Sequence, residues 1–472
     1  MKWEDLVSAA LVGTDRRAYP GDLLGDAALE VIRRRAGHPT PAPATAPSAV
    51  PGSGEEAVSS GEAHAPEGAA PPEGTAPPEE REAVPRKAAD RLRRVLGGEQ
   101  PRLLAEWLRL AAESGRRVPA HVLPDLLDRG DRDRSIREHL GLLAGHRGRW
   151  LAARNPAWAY LLDEPTGETW ELGSSGDRRA YLKHLRESDP EAARTLVEAT
   201  WTQETPDDRA AFLELFESGL SIADEPFLEQ ALDDRRREVR QQAANLLSRL
   251  PESRLARRMA ARIEQAVRVG KHEITVTPPT ECDRAMERDG IRAKAPAGTG
   301  ARAWWLQQLV ARAPLSVWPG PPAELLAKRI PDWDTELRLG WVRAAIVQRD
   351  PEWARAMFEW DPIADLLVAL PPWEQQRLAA EFAERHELDN QLIMVLGGVE
   401  PPWGAGLAAA VLNKIVKMAA VQPWNLGELS RIAGERIDPA LHHLAERASA
   451  EQAVQEVAAL LRFRAEMREE LS

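Results

Sequence analysis

DEPFLEQALDDRRREVRQQAANLLSRLP, residues 224–251, reads as two short amphipathic helices joined by a tight turn. The first helix puts Phe227, Leu228, Ala231 and Leu232 on one stripe. The second puts Val239, Ala243, Leu246, Leu247 and Leu250 at i, i+4, i+7, i+8 and i+11, the spacing of one helical face. Asp233-Asp234 makes the turn between them. Pro251 ends the pair, because it lacks the backbone N–H that the next helical turn needs.

Related units recur outward from this stretch. VLPDLLDRGDRDRSIREHLGLLAG, residues 122–145, repeats the Asp turn, sets Ile136-Arg137 in place of Val239-Arg240, and carries a Leu140/Leu143 stripe. DPEAARTLVE at 189–198 and DPEWARAMFE at 350–359 share six of ten residues, and NPAWAYL at 155–161 is a weaker echo. A short helix, an Asp turn, Val-Arg, then Ala and Leu at helical spacing resemble the HEAT repeat. Units of this kind bury their apolar faces on their neighbours. The expected fold class is therefore all-α: a HEAT-like α-solenoid with one short β-containing insertion.

The expected organisation has five parts. Residues 1–36 form an N-terminal helical segment, with an amphipathic helix over 3–12 that stops at Gly13 and a second ending near Arg35. Residues 37–85 hold 11 prolines, eight glutamates, one arginine and no aromatic residue, a composition too poor in apolar surface to offset its ordering entropy, and read as a disordered linker. Residues 86–270 are HEAT-like helical repeats. Residues 271–301 are an irregular insertion in which KHEITVTPP alternates as one short strand does; such loops carry function more often than a scaffold does. Residues 302–472 form a second helical repeat region with a C-terminal capping helix.

The chain carries 62 basic and 74 acidic residues, net −12, and only eight of the basic residues are Lys. A net acidic chain repels nucleic acid at long range, although a local basic face can still bind it. The single cysteine, Cys282, makes no intrachain disulfide and no cysteine-based zinc site. Glu4 and Asp5 stand where a signal peptide needs basic residues, and Lys414 and Lys417 break the most apolar run near the end. A cytoplasmic location is expected.

The strongest charge feature is a basic ridge at 235–262: Arg235, Arg236, Arg237, Arg240, Arg249, Arg254, Arg257, Arg258 and Arg262 stand against Glu238 and Glu252, net +7. It reads either as a docking face for an acidic partner or phosphates, or as a ridge paired with acids of neighbouring helices. Arg16 and Arg17 in GTDRR are a second binding candidate beside the simpler account of a helix stop and cap. Many of the 16 tryptophans follow proline, as in Pro156/Trp158, Pro351/Trp353, Pro372-Trp373 and Pro402-Trp403. Their spacing suits wedges between helices better than stacking platforms. No glycine-rich phosphate loop, HExxH or nucleophile elbow appears, and no catalytic residue, metal site or cofactor is assigned. Cys282 with His272 makes no convincing dyad.

Four stretches, WEDLVSAALVGTDRR at 3–17, RGRWLAARNPAW at 147–158, DEPFLEQALDDRRREVR at 224–240 and RAWWLQQLVARAPLSVW at 302–318, resemble a bacterial family of unknown function. The resemblance implies gene neighbours encoding a MoxR-type AAA ATPase, a von Willebrand factor A protein and a SWIM zinc-finger protein, and hence a helical adaptor in a chaperone-like ATPase system. The functional expectation is a non-enzymatic adaptor or scaffold that binds protein partners. The alternative is a HEAT-like nucleic-acid-binding or DNA-processing protein that uses the arginine ridge.

Overall fold

A computed structural model describes residues 76–162, 170–171, 173–421 and 426–472. The helices expected over 1–36, Arg16 and Arg17, and most of the 37–85 linker lie outside these residues. The described chain is helix after helix, with one two-stranded sheet. No helix among the described residues is long and apolar enough to cross a membrane.

The chain divides into two units. The first runs to Glu164 and includes Glu466–Ser472; the second is Pro165–Ala465. In the first unit α1 (Arg86–Leu96), α2 (Leu104–Glu113), α3 (Leu123–Arg132), α4 (Arg137–Leu143) and α5 (Gly145–Ala152) bury Leu92, Trp107, Leu108, Leu126 and Leu127. Trp158 is fully buried and its indole donates to Asp128 Oδ1 at 3.0 Å. Arg91, also buried, donates to Glu466 at 2.8 Å and Glu470 at 2.7 Å. The end of the expected linker belongs to this unit. Glu79 accepts the backbone N–H groups of His146 and Arg147 at 3.0 Å, and Ala83 bridges to Arg117. Those bonds satisfy the orphan donors at the start of α5, which is why these acidic residues are held although they offer little apolar surface.

The second unit contains α6 (Ser175–Ser188), α7 (Pro190–Thr200), α8 (Pro206–Leu215), α9 (Glu225–Ala231), α10 (Arg237–Leu247) and α11 (Arg254–Ala266). A hairpin of β1 (Val267–Val269) and β2 (Ile274–Val276) follows, then α12 (Arg284–Arg288), α13 (Ala301–Arg312), α14 (Pro322–Leu326), α15 (Asp334–Gln348) and α16 (Pro351–Trp360). The remainder is α17 (Pro372–Arg385), α18 (Asn390–Gly398), α19 (Ala405–Ala419), α20 (Gly427–Arg436), α21 (His442–Ala448) and most of α22 (Gln452–Leu471). Helices pack on the next helix and on the one two places along: α6 on α8, α8 on α10, α11 on α13, α13 on α15, α17 on α19 and α19 on α21. One apolar core runs through the unit, from Trp170 to Leu461.

The decisive stretch folds as two helices, but α10 ends at Leu247, so Leu250, expected on its stripe, lies beyond the helix and is half-buried. Val239, Ala243, Leu246 and Leu247 are buried on α10, and Phe227, Leu228 and Ala231 on α9. The recurring DPE element is a helix start in both copies. Asp189 accepts the N–H of Ala192 at 3.0 Å, and Asp350 accepts those of Glu352 and Trp353 at 3.0 Å, with proline at the first helical position. Its arginine recurs as well: Arg194 reaches Asp224 at 3.5 Å, and Arg355 reaches Glu374 at 2.5 Å. Trp158, Trp353 and Trp403 are buried wedges, whereas Trp373 is 67% exposed.

Two boundaries differ from the expected ones. The division between units falls at 164/165, inside the expected 86–270 array. The insertion also begins before residue 271. The strand read in KHEITVTPP pairs antiparallel with Val267–Val269, matching Val267 to Val276 and Val269 to Ile274, so the last residues of the expected repeat form half of its hairpin.

Candidate anion-binding cleft

The arginines at 235–262 do not act as one surface. Arg235, Arg236, Arg237, Arg254 and Arg257 are exposed; Arg240, Arg249, Arg258 and Arg262 are half-buried. Arg249 pairs with Glu217 at 3.1 Å, Arg254 with Glu225 at 3.1 Å, and Arg237 with its neighbour Glu238 at 3.2 Å. Arg240 turns back onto the carbonyls of Asp234 at 2.8 Å and Arg235 at 3.1 Å. Arg258 and Arg262, one helical turn apart on α11, meet Asp289 at 2.8 and 2.6 Å, and Arg258 also meets Glu229 at 2.9 Å. The +7 seen along the sequence is therefore largely offset by acids brought in from other helices.

This pairing holds the insertion. Asp289 is 1% exposed and Glu229 6%. Arg288 closes the cluster by donating to Asp233 at 2.6 and 2.9 Å and to the Glu229 carbonyl at 3.2 Å. Burial works against the charge on Arg258, but its hydrogen bonds to Asp289 and Glu229 carry its pKa above the ordinary arginine value. The bond from Arg288 holds the Asp233 carboxyl below the usual range. Gly290 follows with φ +83°, a conformation costly for residues with a Cβ, and a Cβ there would stand 2.5 Å from that of Ala244. The insertion thus comes down tightly on α10.

Its next arginine is delivered to a cleft. Gln308 of α13, buried, accepts the N–H of Arg292 at 2.8 Å and donates to its carbonyl at 3.2 Å. The Arg292 side chain donates to Gln241 at 3.2 Å, and Gln241 donates to Asn245 at 3.2 Å. The cleft encloses about 450 Å³ between α10, α13, α15 and the insertion. Arg292, Arg312 and Arg343 supply its positive charge, Asp365 its one carboxylate, and Trp304, Val342 and Ile346 part of its apolar wall.

Arg312 is the unusual member. It is 9% exposed, and no hydrogen bond or ion pair to its guanidinium occurs among the described residues. The indole N–H of Trp304, in the same wall, is likewise buried without an acceptor. Burial, with the nearby charges of Arg292 and Arg343, pulls the Arg312 pKa down to about 10. A buried guanidinium beside two others and without a counter-ion is poised to take an anion.

Arg292, Arg312 and Arg343 are scattered along the chain and belong to no charge run or motif in the sequence. Arg312 lies inside a quoted stretch, RAWWLQQLVARAPLSVW, where apolar residues on both sides of one arginine were the available signal. Cys282 is half-buried, and burial pushes its thiol up to about 11, so it stays protonated at neutral pH. No group of His, Cys, Asp and Glu able to hold a metal ion occurs among the described residues.

The chain matches the model described as "Family of unknown function (DUF5691)" over residues 5–471, and it belongs to that family. No curated protein and no solved structure matches it.

Proposed function

We propose that this DUF5691 chain is a non-enzymatic adaptor, a HEAT-like α-solenoid whose second unit receives an acidic segment of a protein partner in the Arg312 cleft. Helices that pack on neighbours one and two places along the chain support the solenoid reading, in which each pair buries its stripe on the next. Arg312 carries the functional reading. Folding leaves its charge buried without a partner, a cost of a few kcal/mol that an incoming carboxylate or phosphate removes. The MoxR-type ATPase and von Willebrand factor A protein implied by the sequence resemblance are the first partners to test. The nucleic-acid alternative draws on the ridge, and it loses support where Arg249, Arg254, Arg258 and Arg262 are already engaged by acids.

The test is co-purification of those partners with the wild-type chain, with Arg312→Gln/Arg343→Gln, and with Arg235→Gln/Arg236→Gln. Capture should be lost in the cleft variant and kept in the ridge variant. Capture that survives the cleft variant refutes the assignment. Duplex DNA binding that weakens steeply with salt and needs Arg235 and Arg236 makes the nucleic-acid reading the better one.

A further inference from the structure

We infer that the acidic group taken by the Arg312 cleft is a phosphomonoester, carried on a phosphorylated side chain of the partner segment. The inference rests on the adaptor reading and narrows it.

Charge is the first argument. Arg292, Arg312 and Arg343 against Asp365 leave two net positive charges in the cleft. A phosphomonoester carries about −1.5 to −2 at neutral pH and neutralises them, whereas a carboxylate leaves one charge uncompensated. Asp365 has no ion pair among the described residues and stands exposed on the 3₁₀ segment Ala364–Ala369. Its repulsion acts on either anion, and the stronger attraction of three guanidiniums for a dianion overcomes it better.

Geometry is the second. The three guanidiniums come from separate elements: the insertion, α13 and α15. Such a set approaches an anion from several sides, which suits a tetrahedral group with three free oxygens. A single planar carboxylate is better served by one bidentate arginine.

Size is the third. At about 450 Å³ the cleft is larger than a bare phosphate ion requires, and beyond its arginines it offers the Trp304 ring, Leu339, Val342, Ile346 and Ile363. That wall suits the body of a side chain and its peptide. Gln241 and Asn245 place amide groups alongside for main-chain hydrogen bonds.

Two observations have one explanation in this inference. The ion pairs of Arg258 and Arg262 fix Asp289, that of Arg288 ties the insertion to Asp233, and Gln308 grips Arg292, so the insertion becomes one wall of a preformed site. Arg312 stays unpaired in the free protein.

The experiment compares a phosphoserine peptide with the same peptide carrying glutamate at that position, by calorimetry and thermal shift at fixed ionic strength. The phosphopeptide is expected to bind at least ten-fold more tightly and to raise the melting temperature of the full chain. Inorganic phosphate should compete with it. In Arg312→Gln the phosphopeptide shift should vanish, while the ligand-free melting temperature stays level or rises, because a buried unpaired charge has been removed. A purely structural arginine would behave in the opposite way, its loss lowering the melting temperature. Equal binding of the two peptides overturns the phosphate assignment and leaves the adaptor reading standing. Binding of inorganic phosphate together with no binding of the phosphopeptide overturns the side-chain source. Binding of neither peptide, or binding that survives Arg312→Gln, overturns the inference, and the partner co-purification then decides the adaptor reading separately.

Discussion

Arg257→Glu and Arg258→Glu are neighbouring charge reversals that should differ sharply in cost. Arg257 is exposed and acts only through space on Glu225. Reversing it should move stability by no more than about 0.5 kcal/mol, as an exposed charge does in water. Arg258 sits between Glu229 and Asp289, donating at 2.9 and 2.8 Å, and both carboxylates are almost fully buried. Breaking a buried pair costs about 3–5 kcal/mol when the other charge is stranded. Here Arg262 and Arg288 remain to hold the two acids, and the Arg258 side chain is itself 33% exposed, so the loss belongs at the lower end. A glutamate at 258 adds like-charge repulsion, bringing the sum to about 3–4 kcal/mol. For a unit of about 300 residues that is a fall of roughly 5–6 °C in melting temperature. Thermal unfolding followed by circular dichroism measures both variants. If both melt within about 2 °C of the parent chain, the Asp289 cluster does not hold the insertion.

Three further outcomes follow from the packing. Leu246→Ala should cost about 2–5 kcal/mol in urea unfolding, because Leu246 is buried on the core stripe of α10. Gly290→Ala should lower stability by about 1–3 kcal/mol and weaken anion binding, since its φ of +83° and the 2.5 Å approach to Ala244 admit no Cβ. The third concerns acid. The hydrogen bond from Arg355 holds the Glu374 carboxyl below its ordinary value of 4.5, so its stabilisation is complete above that pH and is lost as pH falls through the lower folded value. Arg355→Gln should therefore raise the pH midpoint of acid unfolding; an unchanged midpoint would remove this pair from the acid response.

Much of the helical framework was legible because its signals are local. A cap aspartate, a first-turn proline and an apolar stripe all lie within a dozen residues, and Asp189, Asp350 and the α10 stripe occur where those signals put them. What escaped was pairing at a distance. Arg186 and Asp224 form a buried pair 3.2 Å apart across 38 residues, which no periodicity reports. Glu79 caps α5 from 67 residues upstream, so an acidic, proline-rich stretch that composition assigns to a linker ends in ordered contacts. The hairpin likewise needed a partner strand, Val267–Val269, too short to read alone.

The same limit explains why the ridge was visible and the cleft was not. Counting charge along 235–262 finds nine arginines but not Glu225, Glu229 or Asp289, which fold back onto them from outside that window. The dense run is where cations have partners. Arg292, Arg312 and Arg343 are scattered over some fifty residues, so no window flags them, and folding sets them in one cleft with a single carboxylate. The two sets play complementary parts. The paired arginines spend their charge on holding Gly290 and Arg292 against α10 and α13, whereas the unpaired Arg312 raises the free energy of the empty protein. Arg258 and Arg262, which stabilise the fold, have counter-ions beside them, and Arg312 has none among the described residues. Arg312 makes physical sense when the counter-ion arrives with the ligand, and the strain of its absence then becomes part of the affinity.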